Sequence, residues 1–176
     1  MNKHLKQLII ACTFPVLILL GMTLTPLITL VNGEEIILQT VPVDPSDLFR
    51  GDYVTLRYEA EEVRKELVEP EVVSELEKGA NALKVYVLLE QKNGVYTPTK
   101  VSLNKPKNGI YLKGRLEYIG QNVDQIEVAY IQYSLDKYFV EDNTGLDWEK
   151  ASAKGEILAK VKVNHGYAYL VDIIKK

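Results

Sequence analysis

The stretch Lys84–Leu103, KVYVLLEQKNGVYTPTKVSL, decides the fold. Apolar and polar residues alternate on both sides of Lys92-Asn93-Gly94, and Asn-Gly between two alternating runs is the strongest short-range signal for a β-hairpin, because a two-residue turn of that hand needs φ > 0 at both central positions. Two antiparallel strands are therefore expected at the centre of the chain, and the sequence on either side extends the pattern. Downstream, a Lys-rich loop (Asn104–Gly109) leads into IYLKGRLEYIG and then QIEVAYIQYSL. Asp142-Asn143-Thr144-Gly145 reads as the cap of a short helix, Leu146–Lys154. A last pair of runs, EILAKVKV and YAYLVDII, is joined by Asn164-His165-Gly166, a second hairpin signal.

Upstream of the hairpin the texture changes. Glu59–Lys78 holds eight Glu against Arg64, Lys65 and the closing Lys78, with Val72, Val73 and Leu76 at helical spacing after Pro70, a suitable first-turn residue, and Gly79 at the helix end. Tyr53–Glu59 alternates as a strand, with Val54, Leu56 and Tyr58 on the face expected to be core and Tyr53, Thr55 and Arg57 on the other. Before it come a turn cluster, Asp44-Pro45-Ser46-Asp47, and a first extended run, Glu35–Val43.

The N-terminal end differs from all of this. Leu8–Val31, LIIACTFPVLILLGMTLTPLITLV, is 24 residues without a charge. As a helix it is about 36 Å long, against a hydrocarbon core of roughly 30 Å. Pro15 and Pro26 would break a soluble helix, but in lipid a kinked helix still satisfies the backbone. Lys3 and Lys6 precede the run and Glu34 and Glu35 follow it, so the positive-inside rule keeps the N-terminus in the cytoplasm and exports the remainder. The run is too long for a cleaved signal peptide, and Val31-Asn32-Gly33 is a poor cleavage site. Cys12 follows only four uncharged residues of the run, too few for a lipoprotein signal, and reads as an inert side chain in the helix. The expected organisation is a cytoplasmic segment 1–7, a single-pass signal anchor 8–31 in the cell membrane, and one extracytoplasmic domain, 32–176.

Composition agrees with this division. The 176 residues carry 21 Lys+Arg and 24 Asp+Glu, a net charge of −3. Residues 1–33 hold two of the lysines and no acid, so the remainder carries 19 basic and 24 acidic side chains, a net −5. All 11 Tyr lie in that remainder, among many Val and Ile, which is the composition of strands joined by turns. The fold expected is a mainly antiparallel, β-rich α+β domain with two short helices behind a transmembrane helix, with a partly closed barrel as one arrangement. A mildly acidic chain argues against nucleic acid as a partner. One Cys excludes a disulfide framework and any multi-cysteine metal site; neither a cofactor nor a metal is expected.

The stretch Asp44–Tyr58, DPSDLFRGDYVTLRY, resembles the GDYXXLXY family, named for the motif whose five defined positions are filled here by Gly51, Asp52, Tyr53, Leu56 and Tyr58. Asp44-Pro45, Leu48-x-Arg50, Tyr111–Arg115 and Lys137–Glu141 are similar to further landmarks of that family, so the resemblance spans roughly residues 35–174. It implies a bacterial membrane-anchored protein with one exported domain and brings no assigned activity with it. It also suggests a multi-spanning membrane protein as partner.

Read physically, Gly51 permits a tight turn into the strand, Asp52 can accept hydrogen bonds from nearby backbone N–H groups, and Leu56 and Tyr58 face the core. Asp47, Arg50, Asp52, Tyr53 and Arg57 are left as the candidate binding surface. The acids could take a cation or a basic peptide segment, although Arg50 can pair with them itself. No catalytic residue is assigned. The enzymatic alternative is a membrane-anchored hydrolase distantly like a signal peptidase, with Ser46 as nucleophile and Lys113 as base; nothing in the sequence brings those two together. His165, the only His of residues 32–176, lies in a tight turn where a Ser-His-Asp role is not expected. The function expected is that of an accessory or interaction protein docking to an integral membrane partner.

Overall fold

A computed structural model describes residues 3–42, 53–139 and 145–176. Asp44–Asp52 and Asp142–Thr144 therefore lie outside the described residues.

Helix α1 runs over Lys3–Asn32, with Pro15 and Pro26 inside it. Its segment Ile10–Asn32, 23 residues of mean hydropathy 2.2, is long and apolar enough to cross a membrane, and almost none of it is buried against the rest of the chain. Among the described residues none covers the exposed row of Phe14, Leu17, Leu20, Leu24, Leu27 and Ile28.

After α1 come β1 (Glu34–Gln39), β2 (Tyr53–Thr55), β3 (Glu62–Arg64), α2 (Pro70–Glu77), β4 (Leu83–Lys92), β5 (Val95–Ser102), β6 (Ile110–Gln121), β7 (Glu127–Gln132), β8 (Lys137–Phe139), α3 (Gly145–Ala153), β9 (Ile157–Asn164) and β10 (Tyr167–Lys175). They form three antiparallel sheets, ordered β1-β9-β10, β2-β8 and β3-β7-β6-β4-β5. Among the described residues no sheet closes on itself, so the barrel does not form. The β domain is a layered one, with side chains of the three-stranded and five-stranded sheets meeting in one core.

Strand alternation builds that core. Ile157, Ala159, Val161 and Val163 of β9 are buried and the residues between them are not. Ile36 and Leu38 of β1 lie beside them, and Val85, Val87 and Leu89 of β4 with Leu112 and Leu116 of β6 enter the same cluster from the five-stranded sheet. Both hairpins occur as read. Asn93 and Gly94 have φ of 52° and 87°, and His165 and Gly166 have 49° and 79°, the positive pairs that a two-residue turn matching the strand twist requires. The turn at Gly166 also docks: its carbonyl accepts a 2.8 Å bond from the Lys113 N–H of β6.

The first extended run stops pairing as a strand at Gln39, with Thr40 added as a single bridge to Tyr58. Tyr53–Glu59 is not one strand. Tyr53–Thr55 pairs with Lys137–Phe139 of β8, Tyr58 makes only the bridge to Thr40, and Glu59–Glu61 closes into a 3-10 turn. The Glu-rich segment is likewise mixed: β3 and a 3-10 turn at Lys65–Leu67 precede α2. Charge texture alone could not reveal β3, because three residues are too few for period-2 alternation to register. The two helices, α2 and α3, lie where they were read, within a residue or two at their ends.

The helix meets the domain without a linker. Gly33 alone separates α1 from β1, and its N–H bonds to the Thr29 carbonyl at 2.8 Å. Lys162 Nζ of β9 donates to the Leu30 carbonyl at 2.6 Å, placing a cation on the C-terminal end of the helix, where the macrodipole and the unpaired carbonyls favour it.

Candidate functional site

Of the residues singled out in the sequence, Asp47, Arg50, Gly51 and Asp52 lie outside the described residues, as does Ser46. Tyr53 opens β2 opposite Phe139. Leu56 and Tyr58 are both buried, each about 1% exposed, and form part of the core as their alternation requires. Tyr58 Oη donates to the Leu135 carbonyl at 2.7 Å, and Tyr133 Oη donates to the Ala60 carbonyl at 2.9 Å. These reciprocal bonds tie the 3-10 turn after the motif to the segment that follows β7. Burial pushes both phenols well above their ordinary range, so both remain protonated donors.

Arg57 points the other way, into a cleft of about 280 Å³ that it lines with Thr55, Glu61, Glu117, Gln132 and Asp136. Its guanidinium lies 3.9 Å from Glu61 and 3.3 Å from Glu62. Glu61 is the cleft's unusual group. Its side chain is only 15% exposed, and burial raises its pKa to about 7, with nearby Asp136 and Glu62 adding to the rise; a hydrogen bond to the Tyr58 backbone and the charge of Arg57 oppose it. A carboxyl of this kind exchanges a proton near neutrality. Tyr118 and Tyr130 form the aromatic wall, stacked at 4.5 Å between ring centroids with 28° between planes.

A second cleft of about 270 Å³ adjoins the first and shares Gln132 and Asp136 with it; Lys113, Gly114, Arg115 and Ser134 complete it. Arg115 is held by Glu117 at 2.6 Å and by Gln132 Oε1 at 2.7 Å. Lys113 thus shares a cleft with Ser134, but no hydrogen bond joins them. Among the described residues no group of three His, Cys, Asp or Glu side chains gathers as metal ligands would.

The sequence pointed to Arg57 and missed its surroundings. Glu61, Glu117, Gln132 and Asp136 come from a turn, two strands and a loop separated by up to 75 positions, and no local pattern marks them.

What the fold and the clefts define is a small antiparallel β domain carried on an apolar helix, with a charged, aromatic-walled groove behind its motif strand. The chain matches the family model described as GDYXXLXY protein over residues 15–173, and it belongs to the GDYXXLXY family. That match begins within α1, so the second half of the helix is part of the pattern along with the domain. No curated protein and no solved structure matches the chain.

Proposed function

We propose that this is a membrane-anchored, extracytoplasmic accessory protein of a bacterial cell, which docks through its β domain to an integral membrane partner. The observation that carries the reading is the junction at Gly33. With Gly33 hydrogen-bonded to the last turn of α1 and Lys162 of β9 donating to the Leu30 carbonyl, the domain is joined to the helix with no flexible tether between them. It is held against the surface of the bilayer its helix crosses, where a partner in the same membrane meets it at high effective concentration. Lys3 and Lys6 on one side of the apolar run and Glu34 and Glu35 on the other support a cytoplasmic N-terminus and an exported domain.

The two clefts behind the motif strand support docking of a partner there over small-molecule chemistry. About 280 Å³ and 270 Å³ fall below the roughly 300–1,000 Å³ usual for ligand pockets, a size that suits single side chains of a partner. Arg57, Glu61 and the Tyr118–Tyr130 stack offer such side chains charge and an aromatic face. Purification of the full chain from native membranes in mild detergent should recover a stoichiometric integral membrane protein, and recovery of the chain alone would refute the proposal.

A further inference from the structure

A third cleft, of about 540 Å³, opens where α1 reaches the domain. One wall is Leu30, a residue of the apolar segment Ile10–Asn32 and itself exposed; the others are Ser134 and Leu135 with strands β8 and β10, which contribute Tyr138, Tyr167, Tyr169 and Leu170 among others. We propose that this cleft is a phospholipid site, taking the headgroup and glycerol of a lipid from the leaflet on the domain's side. The inference rests on reading α1 as a membrane anchor.

The position of the wall carries the argument. If the apolar segment spans the bilayer, its exposed row ending in Leu27, Ile28, Leu30 and Val31 is covered by acyl chains. Only Gly33 stands between Asn32 and the first strand, so the bilayer surface lies at the height of this junction. A lipid whose chains lie along the last turns of α1 then has its polar end at the mouth of the cleft. The lining suits that level. Tyrosines are enriched at the membrane–water boundary, where the ring is apolar and the hydroxyl stays wet. Tyr169 is 41% exposed, while Tyr138 is turned inward and its hydroxyl donates to Asp172 at 3.2 Å. Lys162, fixed on the Leu30 carbonyl, adds a positive charge beside the junction that favours a phosphate. The cleft is also about twice the size of the two behind the motif strand, room for a headgroup where those admit a side chain. A partner's transmembrane helix could occupy the same place, and the test separates the two.

The photoreactive amino acid p-benzoylphenylalanine is placed at Tyr169 of the full chain, and separately at Tyr118, on the five-stranded sheet. Native membranes are irradiated and washed with alkaline carbonate, and adducts are identified by mass spectrometry. A phospholipid adduct at position 169, with none at 118, supports the proposal. A polypeptide adduct alone at 169, or no lipid adduct in carbonate-resistant protein, overturns it. Release by carbonate would instead overturn the anchor reading, and the site with it. Leu30 lines this cleft and neither of the two behind the motif strand, and it is exposed, so Leu30→Trp narrows the space without disturbing the core. It should cut the lipid adduct at 169 several-fold, and an undiminished adduct would mean plain surface contact and no site.

Discussion

Glu61 shows what a single residue contributes when its surroundings, and not its type, set its chemistry. In the unfolded chain it titrates as an ordinary carboxylate; in the fold its pKa is raised to about 7, chiefly by burial. Raising an acid's pKa on folding means the native state binds the extra proton between those two values. Stability therefore falls as pH rises from the ordinary carboxylate range to about 7 and is level above it. Glu61→Gln, which keeps an acceptor for the Tyr58 backbone, should remove that slope. The variant should match the wild type near pH 4 and exceed it by about 3 kcal/mol at pH 8, by linkage from the shift. Denaturant melts at both pH values measure this, and equal stability of the two proteins at pH 8 would refute it. Leu56 and Tyr58 were legible in the sequence as core, because strand alternation assigns a face residue by residue. Glu61 was not, because the burial that chiefly raises its pKa, and the nearness of Asp136, come from the packing of segments distant in sequence.

Among the elements, the two hairpins share a turn conformation but differ in what the turn touches. A side chain added at Gly94 meets open space, so Gly94→Ala carries only the backbone cost of positive φ, about 1 kcal/mol. At Gly166 an added Cβ would stand 2.5 Å from Tyr111 Cε2 and 3.0 Å from Lys113 Cγ. Gly166→Ala must also displace β6 side chains and strain the bond from Lys113 to the turn. It should cost at least twice as much as Gly94→Ala in equilibrium unfolding; equal costs would show that the β9–β10 turn does not bear on β6. Both hairpins could be read from Asn-Gly and Asn-His-Gly between alternating runs, since the turn and its flanks are local. The docking of one turn onto β6 was not, because strand order in a sheet is set by contacts distant in sequence. The break in Tyr53–Glu59 has the same origin: after Thr55 the partner strand β8 has ended, and the chain turns inward to place Tyr58 and Ala60 in the core.

For the whole molecule, the consequential feature is the absence of slack between helix and domain, which a sequence scan divides into two independent regions. Hydropathy located the apolar run to within a few residues of its observed ends, because a charge-free stretch of that length has few other uses. It could not show that the run ends by hydrogen-bonding into a strand. Gly33 makes this possible by having no side chain: a Cβ there would collide with the Thr29 carbonyl oxygen and press on Lys162 Cβ at 3.1 Å. The first of these is backbone, which can yield only if the strand moves off the helix. Gly33→Ala should therefore break the Gly33 N–H to Thr29 bond and pull Lys162 from the Leu30 carbonyl, while the core around Ile36, Leu38 and Val161 stays folded. In detergent micelles, limited proteolysis should leave the wild-type junction intact and cut the variant between α1 and β1, releasing a domain that still melts cooperatively. If the variant resists cleavage as the wild type does, the domain is not held by this junction.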